Sequence, residues 1–168
     1  LLQVPKLTSV NLNALTTSQF QALTTAQIAI LSTSQIANLE NSDLASLDTN
    51  QILAITPKNI GLISTQGIVA LMTAQVRALN ANQLKTLTSN QLSNLAVDDL
   101  QSLSSTQLTN LSGPQLNALS TAQLSVLLTS QLASLTPSQI STLNTVNLKS
   151  LTTSQFQALT SQQIAGLT

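Results

Sequence analysis

The sequence predicts an all-α fold: an elongated repeat solenoid of very short capped helices, one in each octapeptide. Three observations predict it. Two apolar positions recur every eight residues, a helix-capping pattern follows one of them, and acidic and basic residues separate within the repeat. The 168 residues divide into twenty-one octapeptides without an insertion, so we expect a single tandem array over residues 1–168.

The two apolar series have no polar interruption. The first, Leu or Ile, runs every eighth residue from Leu7 to Leu167, and the second runs from Val4 to Ile164. Their spacing alternates between three and five, whereas a half-buried strand would alternate strictly. In a continuous α-helix, eight residues make about 2.2 turns, so the apolar stripe would wind around the cylinder. Each octapeptide must therefore contain its own helix break.

The residues after the first apolar series mark where each helix begins. Thr, Ser, Asn or Asp follows that series in seventeen repeats, and Gln directly precedes the second apolar series in fifteen. The segment Thr16–Gln19 is typical and has the form of a capping box. Pro57 and Pro137 directly follow the cap, at the first helical position, where proline is favoured.

Charge supports the same boundaries. Four of the five basic residues lie in the back half of the repeat, with Lys58 the exception. This is the distribution that a helix dipole stabilises. All five acidic residues lie between the cap and the third helical position: Glu40, Asp43, Asp48, Asp98 and Asp99.

Helices this short are not stable alone, because isolated helices need roughly 12 residues to be marginally stable. The repeats must therefore coil, so that each turn covers its neighbours and both apolar series meet along a common axis. A β-solenoid is the structural alternative. Octapeptide β-helices rely on a recurrent glycine for their tight turns, but the four glycines here follow no fixed series.

Composition argues against catalysis. Charged residues make up 6% of the chain and the net charge is zero, so nothing draws nucleic acid electrostatically. Without Cys or His, the usual zinc ligands, thiol nucleophiles and imidazole bases are missing. The pair Asp98 and Asp99 is best interpreted as capping residues. We expect no enzyme activity, no cofactor, no metal site and no small-molecule substrate. The longest apolar runs have four residues, so we expect no membrane span.

Two stretches carry a resemblance to known proteins. LTTSQFQALTTAQIAIL at Leu15–Leu31 and LTTSQFQALTSQQIAGL at Leu151–Leu167 resemble the Thr/Gln/Leu-rich arrays inside very large bacterial secreted and surface proteins. The resemblance implies export, an extracellular or cell-surface location, and a stalk, adhesin-like or filament role. The start at Leu1, inside a repeat, and the lack of a polar terminal repeat lead us to expect a fragment of a longer array.

Four apolar residues depart from the consensus. Leu53, Leu62, Val69 and Met72 occupy slots that are usually small or polar, within neighbouring repeats. Drift or additional core filling would account for them. As a functional hypothesis, they form a lateral contact where a second rod packs. We therefore consider self-association, side by side or end to end.

The function predicted from these features is structural, as a spacer, stalk or filament subunit. The alternative is a binding or adhesion module that uses the polar surface or the apolar patch. Ice binding by rows of Thr is a third possibility. Against it, the first Thr of each pair is engaged as a cap and the second is replaced by Pro, Gly, Val or Ala in five repeats.

Overall fold

The computed structural model describes residues 3–167, which contain a 3-10 helix, Val4–Lys6, and twenty α-helices of four to six residues. These residues form no strand. The prediction of an all-α repeat solenoid with one short helix per octapeptide is therefore confirmed. The helices group into two compact units, residues 1–87 and 88–168, whose boundary lies just before a cap position.

The first unit contains ten α-helices. They are α1 Ser9–Asn13, α2 Thr17–Gln21, α3 Thr25–Ala29, α4 Thr33–Ala37, α5 Asn41–Ser46, α6 Thr49–Ala54, α7 Pro57–Ile60, α8 Thr65–Val69, α9 Thr73–Ala78 and α10 Ala81–Thr86.

The second unit contains the other ten. They are α11 Ser89–Ser93, α12 Val97–Ser102, α13 Ser105–Leu108, α14 Gly113–Asn117, α15 Thr121–Ser125, α16 Thr129–Ser134, α17 Pro137–Ser141, α18 Thr145–Lys149, α19 Thr153–Gln157 and α20 Ser161–Ala165.

The predicted caps are where the helices begin. In sixteen of the twenty α-helices, the side chain before the helix accepts a hydrogen bond from the backbone N–H of the third helical residue, N3. At Thr16 the box is reciprocal, because Gln19 Oε1 also accepts from the Thr16 backbone N–H at 2.9 Å. Four helices lack the side-chain cap: those preceded by Glu40, Met72, Ala96 and Leu128.

The break between helices needs no glycine. Each cap residue has an extended backbone, as at Thr24 with φ −70° and ψ 157°. No residue of the described chain has a positive φ. The chain leaves one helix, passes through extended geometry and enters the next, which explains why the glycines follow no fixed series.

Within each unit, every helix packs against the third helix that follows, from α1 on α4 to α7 on α10 and from α11 on α14 to α17 on α20. Hydrogen bonds between successive turns span 25 residues, as from Asn13 to Asn38, to 31 residues, as from Gln35 to Val4. Since three octapeptides are 24 residues and four are 32, one turn of the solenoid holds between three and four octapeptides.

The core consists of the two apolar series. Residues of the second series from Leu12 to Ile140 are almost completely buried, as with Leu12, Phe20 and Ile52 at 0% exposure. Residues of the first series from Leu31 to Leu143, such as Leu47 and Leu79, are also buried. The prediction that the two series meet inside the solenoid is therefore confirmed.

Candidate interaction surfaces

The N3 glutamines have a second role beyond the capping box. In α10, Gln83 Oε1 accepts from the backbone N–H of Asn80 at 3.0 Å. The same amide reaches across to the preceding turn, where Nε2 donates to the carbonyl oxygens of Ile52 at 2.9 Å and Ile55 at 2.8 Å. Gln83 is 0% exposed, so this buried amide uses its oxygen and both of its hydrogens.

The same arrangement repeats along the chain. The acceptors lie 31 or 30 residues and 28 residues before the glutamine, on the last helical turn and the linker of an earlier repeat. Within each unit, these side-chain-to-backbone bonds join successive turns beside the apolar core. The glutamines that make this pair of bonds within a unit are Gln35, Gln51, Gln75, Gln83, Gln123, Gln131, Gln139, Gln155 and Gln163.

The sequence predicted the capping bonds within each repeat but not the bonds between successive turns. A signal was present: Glu completes a capping box as well as Gln does, yet no Glu occupies N3 in any of the repeats. Asn59 shows which property is retained. Its shorter side chain makes no reciprocal box, but Nδ2 still donates to the Leu31 carbonyl at 3.0 Å. The N3 position selects an amide donor.

Asp43 and Gly67 are two departures from this rule in the first unit. Gly67 offers no side chain, and a Cβ there would lie 2.8 Å from Leu44 Cδ1 and 2.7 Å from Ile63 Cγ2. Asp43 is only 3% exposed, and its Oδ2 has no hydrogen-bond partner. Burial, and secondarily the neighbouring Glu40 carboxylate, raises the pKa of the Asp43 carboxyl above its ordinary value of 3.8.

The acidic residues otherwise take the predicted positions. Asp98 and Asp99 lie in the first turn of α12, and Asp48 caps α6 through a 2.8 Å bond from the Gln51 backbone N–H. Across residues 3–167, no group of three or more acidic, His or Cys side chains is arranged to hold a metal ion.

The four apolar residues singled out from the sequence are all partly exposed: Leu53 by 41%, Leu62 by 43%, Val69 by 45% and Met72 by 55%. Leu53 and Met72 both lie next to α9. Leu53 lines a groove of about 320 Å³ with Thr49 of α6 and with Ala74, Arg77 and Ala78 of α9, and Met72 is the residue before α9.

The other two lie elsewhere in the first unit. Val69 is the last residue of α8 and Leu62 lies in the linker between α7 and α8. The lateral contact through all four residues stays a prediction.

A second groove, of about 600 Å³, lies at the last helices of the second unit. Its apolar walls are Leu148, Leu151 and Phe156. Phe156 is 47% exposed although it belongs to the second apolar series, whose member Phe20 is 0% exposed. The remaining lining residues are Thr145, Lys149, Thr153 and Gln157. Sequence reasoning did not indicate this groove.

Comparison with known proteins gives one family match. The model of the ALTTAQ repeat family matches residues 4–41, and the hexapeptide Ala22–Gln27 reads ALTTAQ. The match supports the recognition of a repeat region, in agreement with the regular helices of the structure. No curated protein matches the chain. No helix in residues 3–167 is long and apolar enough to cross a membrane.

Proposed function

We propose that this chain is a non-catalytic structural repeat protein that acts as an extracellular spacer, stalk or filament subunit of a bacterial surface or secreted protein. The observation that carries the proposal is the bonding between successive turns within each unit. The buried glutamine amides bind backbone carbonyls of the preceding turn, and this use of interior polar groups supports a cohesive role. The outer surface is composed mainly of Ser, Thr, Asn and Gln, with few groups that titrate.

A spacer has one property that a binding module lacks: its function depends on the number of repeats. Variants in which residues 112–127 are duplicated once or twice keep the octapeptide phase, because this stretch is two whole repeats. We expect the largest dimension from small-angle X-ray scattering to increase in equal steps. A chain whose dimension stays constant as octapeptides are added would contradict the proposal.

The extracellular location is tested separately. We expect an epitope inserted in an exposed linker to be labelled by antibody on intact cells of the source organism, without permeabilisation. Labelling only after permeabilisation would contradict export without contradicting the spacer role.

A binding or adhesion module is the second candidate, and the groove beside α9 favours it. There an exposed Leu53 side chain lies with the Arg77 side chain, and Met72 lies at the start of the same helix. Exposed apolar side chains near a cation are a common feature of protein contacts. We expect the triple variant Leu53→Ser, Val69→Ser, Met72→Ser to lose side-by-side association. Association equal to that of Leu128→Ser, which removes an equally exposed leucine elsewhere, would reject this candidate.

A further inference from the structure

Two buried side-chain oxygens in the described part of the chain have no hydrogen-bond partner, Asn13 Oδ1 and Asp43 Oδ2. The two residues belong to successive turns of the first unit and stand 30 residues apart. Asn13 ends α1, and Asp43 is the N3 residue of α5 and is 3% exposed. Both oxygens are shielded from water, so each lacks a hydrogen bond that solvent would otherwise supply.

A second pair of residues shows how these two repeat positions meet. Asn117 ends α14 and Asn147 is the N3 residue of α18, again 30 residues apart. Asn147 Nδ2 donates to the Asn117 backbone carbonyl at 2.9 Å and to Asn117 Oδ1 at 3.1 Å. Asp43 has a carboxylate oxygen where Asn147 has this amide nitrogen. By the same register, Asp43 and Asn13 therefore face each other with oxygens that accept and do not donate.

The helices around Asp43 carry no basic side chain to neutralise it. Helix α5 contacts α2 and α8, and neither of them nor α1 contains a charged residue. The nearby charge is a second carboxylate, because Glu40 precedes α5 at the cap position and makes no capping bond. Cap and N3 side chains touch elsewhere, as Thr24 Oγ1 does with Gln27 Oε1 at 3.1 Å. Glu40 and Asp43 thus place two negative charges at one corner of α5.

We propose that this corner binds a calcium ion, held by the carboxylates of Glu40 and Asp43 and by Asn13 Oδ1. Calcium takes oxygen ligands from carboxylates, amide groups and the backbone, completes its shell with water and accepts irregular geometry. Its two positive charges balance the two carboxylates. Glu40 is exposed, so the ion can enter from solvent.

The register adds a backbone ligand. The Leu15 carbonyl stands 28 residues before Asp43, the separation at which Asn59 Nδ2 donates to the Leu31 carbonyl at 3.0 Å. The ion would thereby join two turns at a repeat that lacks the usual glutamine amide. The site does not depend on the spacer role. Composition did not indicate it, because half of its ligands are neutral oxygens from a distant repeat.

Isothermal titration calorimetry of the full chain with calcium chloride tests the site. We expect one ion per chain with a Kd of about 10⁻⁴ to 10⁻³ M. Asp43→Gln restores the consensus amide, so this variant should fold, and we expect it to bind no calcium. Glu40→Gln should weaken binding at least about tenfold, because affinity depends on the number of charged ligands. Asp48→Asn is the matched control: it removes the acid that caps α6, keeps a capping oxygen, and should bind calcium like the unaltered chain.

Thermal unfolding provides a second measurement. The Tm of the unaltered chain should rise with calcium chloride, rise less with magnesium chloride and stay constant with potassium chloride at equal ionic strength, since Mg²⁺ gives up its water reluctantly. Asp43→Gln should be more stable than the unaltered chain in a chelator and should not respond to calcium. A proton on Asp43 competes with the ion, so affinity should fall as the pH drops through the Asp43 pKa, which burial and then Glu40 raise above 3.8.

The inference is overturned if the unaltered chain binds no calcium at millimolar concentrations, if Asp43→Gln binds it equally well, or if Asp48→Asn weakens binding as much as Asp43→Gln does. A chain whose stability responds to pH but not to calcium would also overturn it. In that case a proton on Asp43, donated to Asn13 Oδ1, satisfies the two oxygens. None of these outcomes changes the scattering test of the spacer role.

Discussion

Helices α5 and α10 of the first unit place different side chains in the same position. In α10 the buried Gln83 amide uses its oxygen on the cap of its own helix and both hydrogens on the preceding turn. In α5 the buried Asp43 has an oxygen without a partner and a raised pKa. The backbone is helical in both. The difference shows that the helix forms with an acid at this position, whereas the bonds to the preceding turn use an amide donor.

The strongest way to test this comparison is to convert the α10 arrangement into the α5 arrangement. Gln83→Glu retains the side-chain oxygen that accepts the capping bond. It replaces the amide nitrogen that donates to the Ile52 and Ile55 carbonyls with a second carboxylate oxygen. We expect a loss of about 4 kcal/mol in unfolding free energy at neutral pH, measured by urea denaturation. The loss should shrink in acid, because a protonated carboxyl can donate one hydrogen bond.

The matched control for that variant is Gln19→Glu in α2, where only the local bond exists. There we expect a change within about 0.5 kcal/mol, since an acid in the first turn of a helix is favourable. Measurements should be made at concentrations where the chain is monomeric. Equal losses for both variants would mean that the bonds between turns contribute little.

The next largest change in unfolding free energy is expected where two helix backbones approach each other closely. A Cβ on Gly61, which ends α7, would lie 2.8 Å from the backbone oxygen of Thr86 in α10. We expect Gly61→Ala to cost about 2 kcal/mol, because the two helices must separate. Gly166 ends α20 with a similar backbone, φ −80° against −65°, and its nearest neighbour atom would be 3.4 Å away.

Gly166→Ala should therefore be neutral, or stabilising by up to about 1 kcal/mol. Urea denaturation of both alanine variants measures the contrast. A stable Gly61→Ala chain would show that α7 and α10 do not need this close approach.

Asp43→Asn makes the reverse change, because it gives α5 an amide at the position that Gln83 occupies in α10. The change supplies a donor, as Asn59 does at the same position in α7, and we expect a gain of about 1 kcal/mol at neutral pH. The sign with pH follows from the raised pKa. The folded state holds the Asp43 proton more tightly than the unfolded state does, so this group's contribution is greatest below about 3.8 and is lost as the pH rises through the higher folded-state pKa.

The difference in unfolding free energy between Asp43→Asn and the unaltered chain should therefore grow with pH across that window. A difference that does not vary with pH would contradict the unfavourable burial of the Asp43 carboxylate.

The smallest expected effect concerns the caps. Leu128 precedes α16 with the extended backbone of a cap, φ −66° and ψ 147°, but makes no side-chain bond. Leu128→Ser should add the missing half of the box beside Gln131 and stabilise by about 0.5 kcal/mol. Thr136→Ala in the next helix should destabilise by about 1 kcal/mol, and thermal unfolding would measure both. A Leu128→Ser chain that is less stable would show that this leucine contributes more by packing.

The parts of the fold that depend on neighbouring residues could be predicted from the sequence. A cap and its N3 partner are three residues apart, so Thr16 and Gln19 indicate their own geometry, and Pro57 and Pro137 confirm the helix start. The size of a turn could not be predicted, because it sums backbone angles over between three and four helices and their linkers. The bonds of Gln83 to Ile52 and Ile55 depend on that sum and were therefore missed.

The exposed residues were predicted less completely than the core. The departures at Leu53, Leu62, Val69 and Met72 were visible because they break the repeat. Phe156 obeys the repeat, so its identity gave no signal that its side chain is 47% exposed. Phe20 occupies the same repeat position and is 0% exposed, so residue type and repeat position together do not predict exposure.

The most direct test of the account is hydrogen exchange of the glutamine side-chain amides, followed by nuclear magnetic resonance. If the amides join successive turns, those of buried residues such as Gln83, Gln123 and Gln163 should exchange slowly, and the exposed Gln19 should exchange at the rate of a free side chain. Gln83→Ala should remove one slow pair and thereby assign it. A single fast population that includes Gln83 would contradict the central role given to these amides.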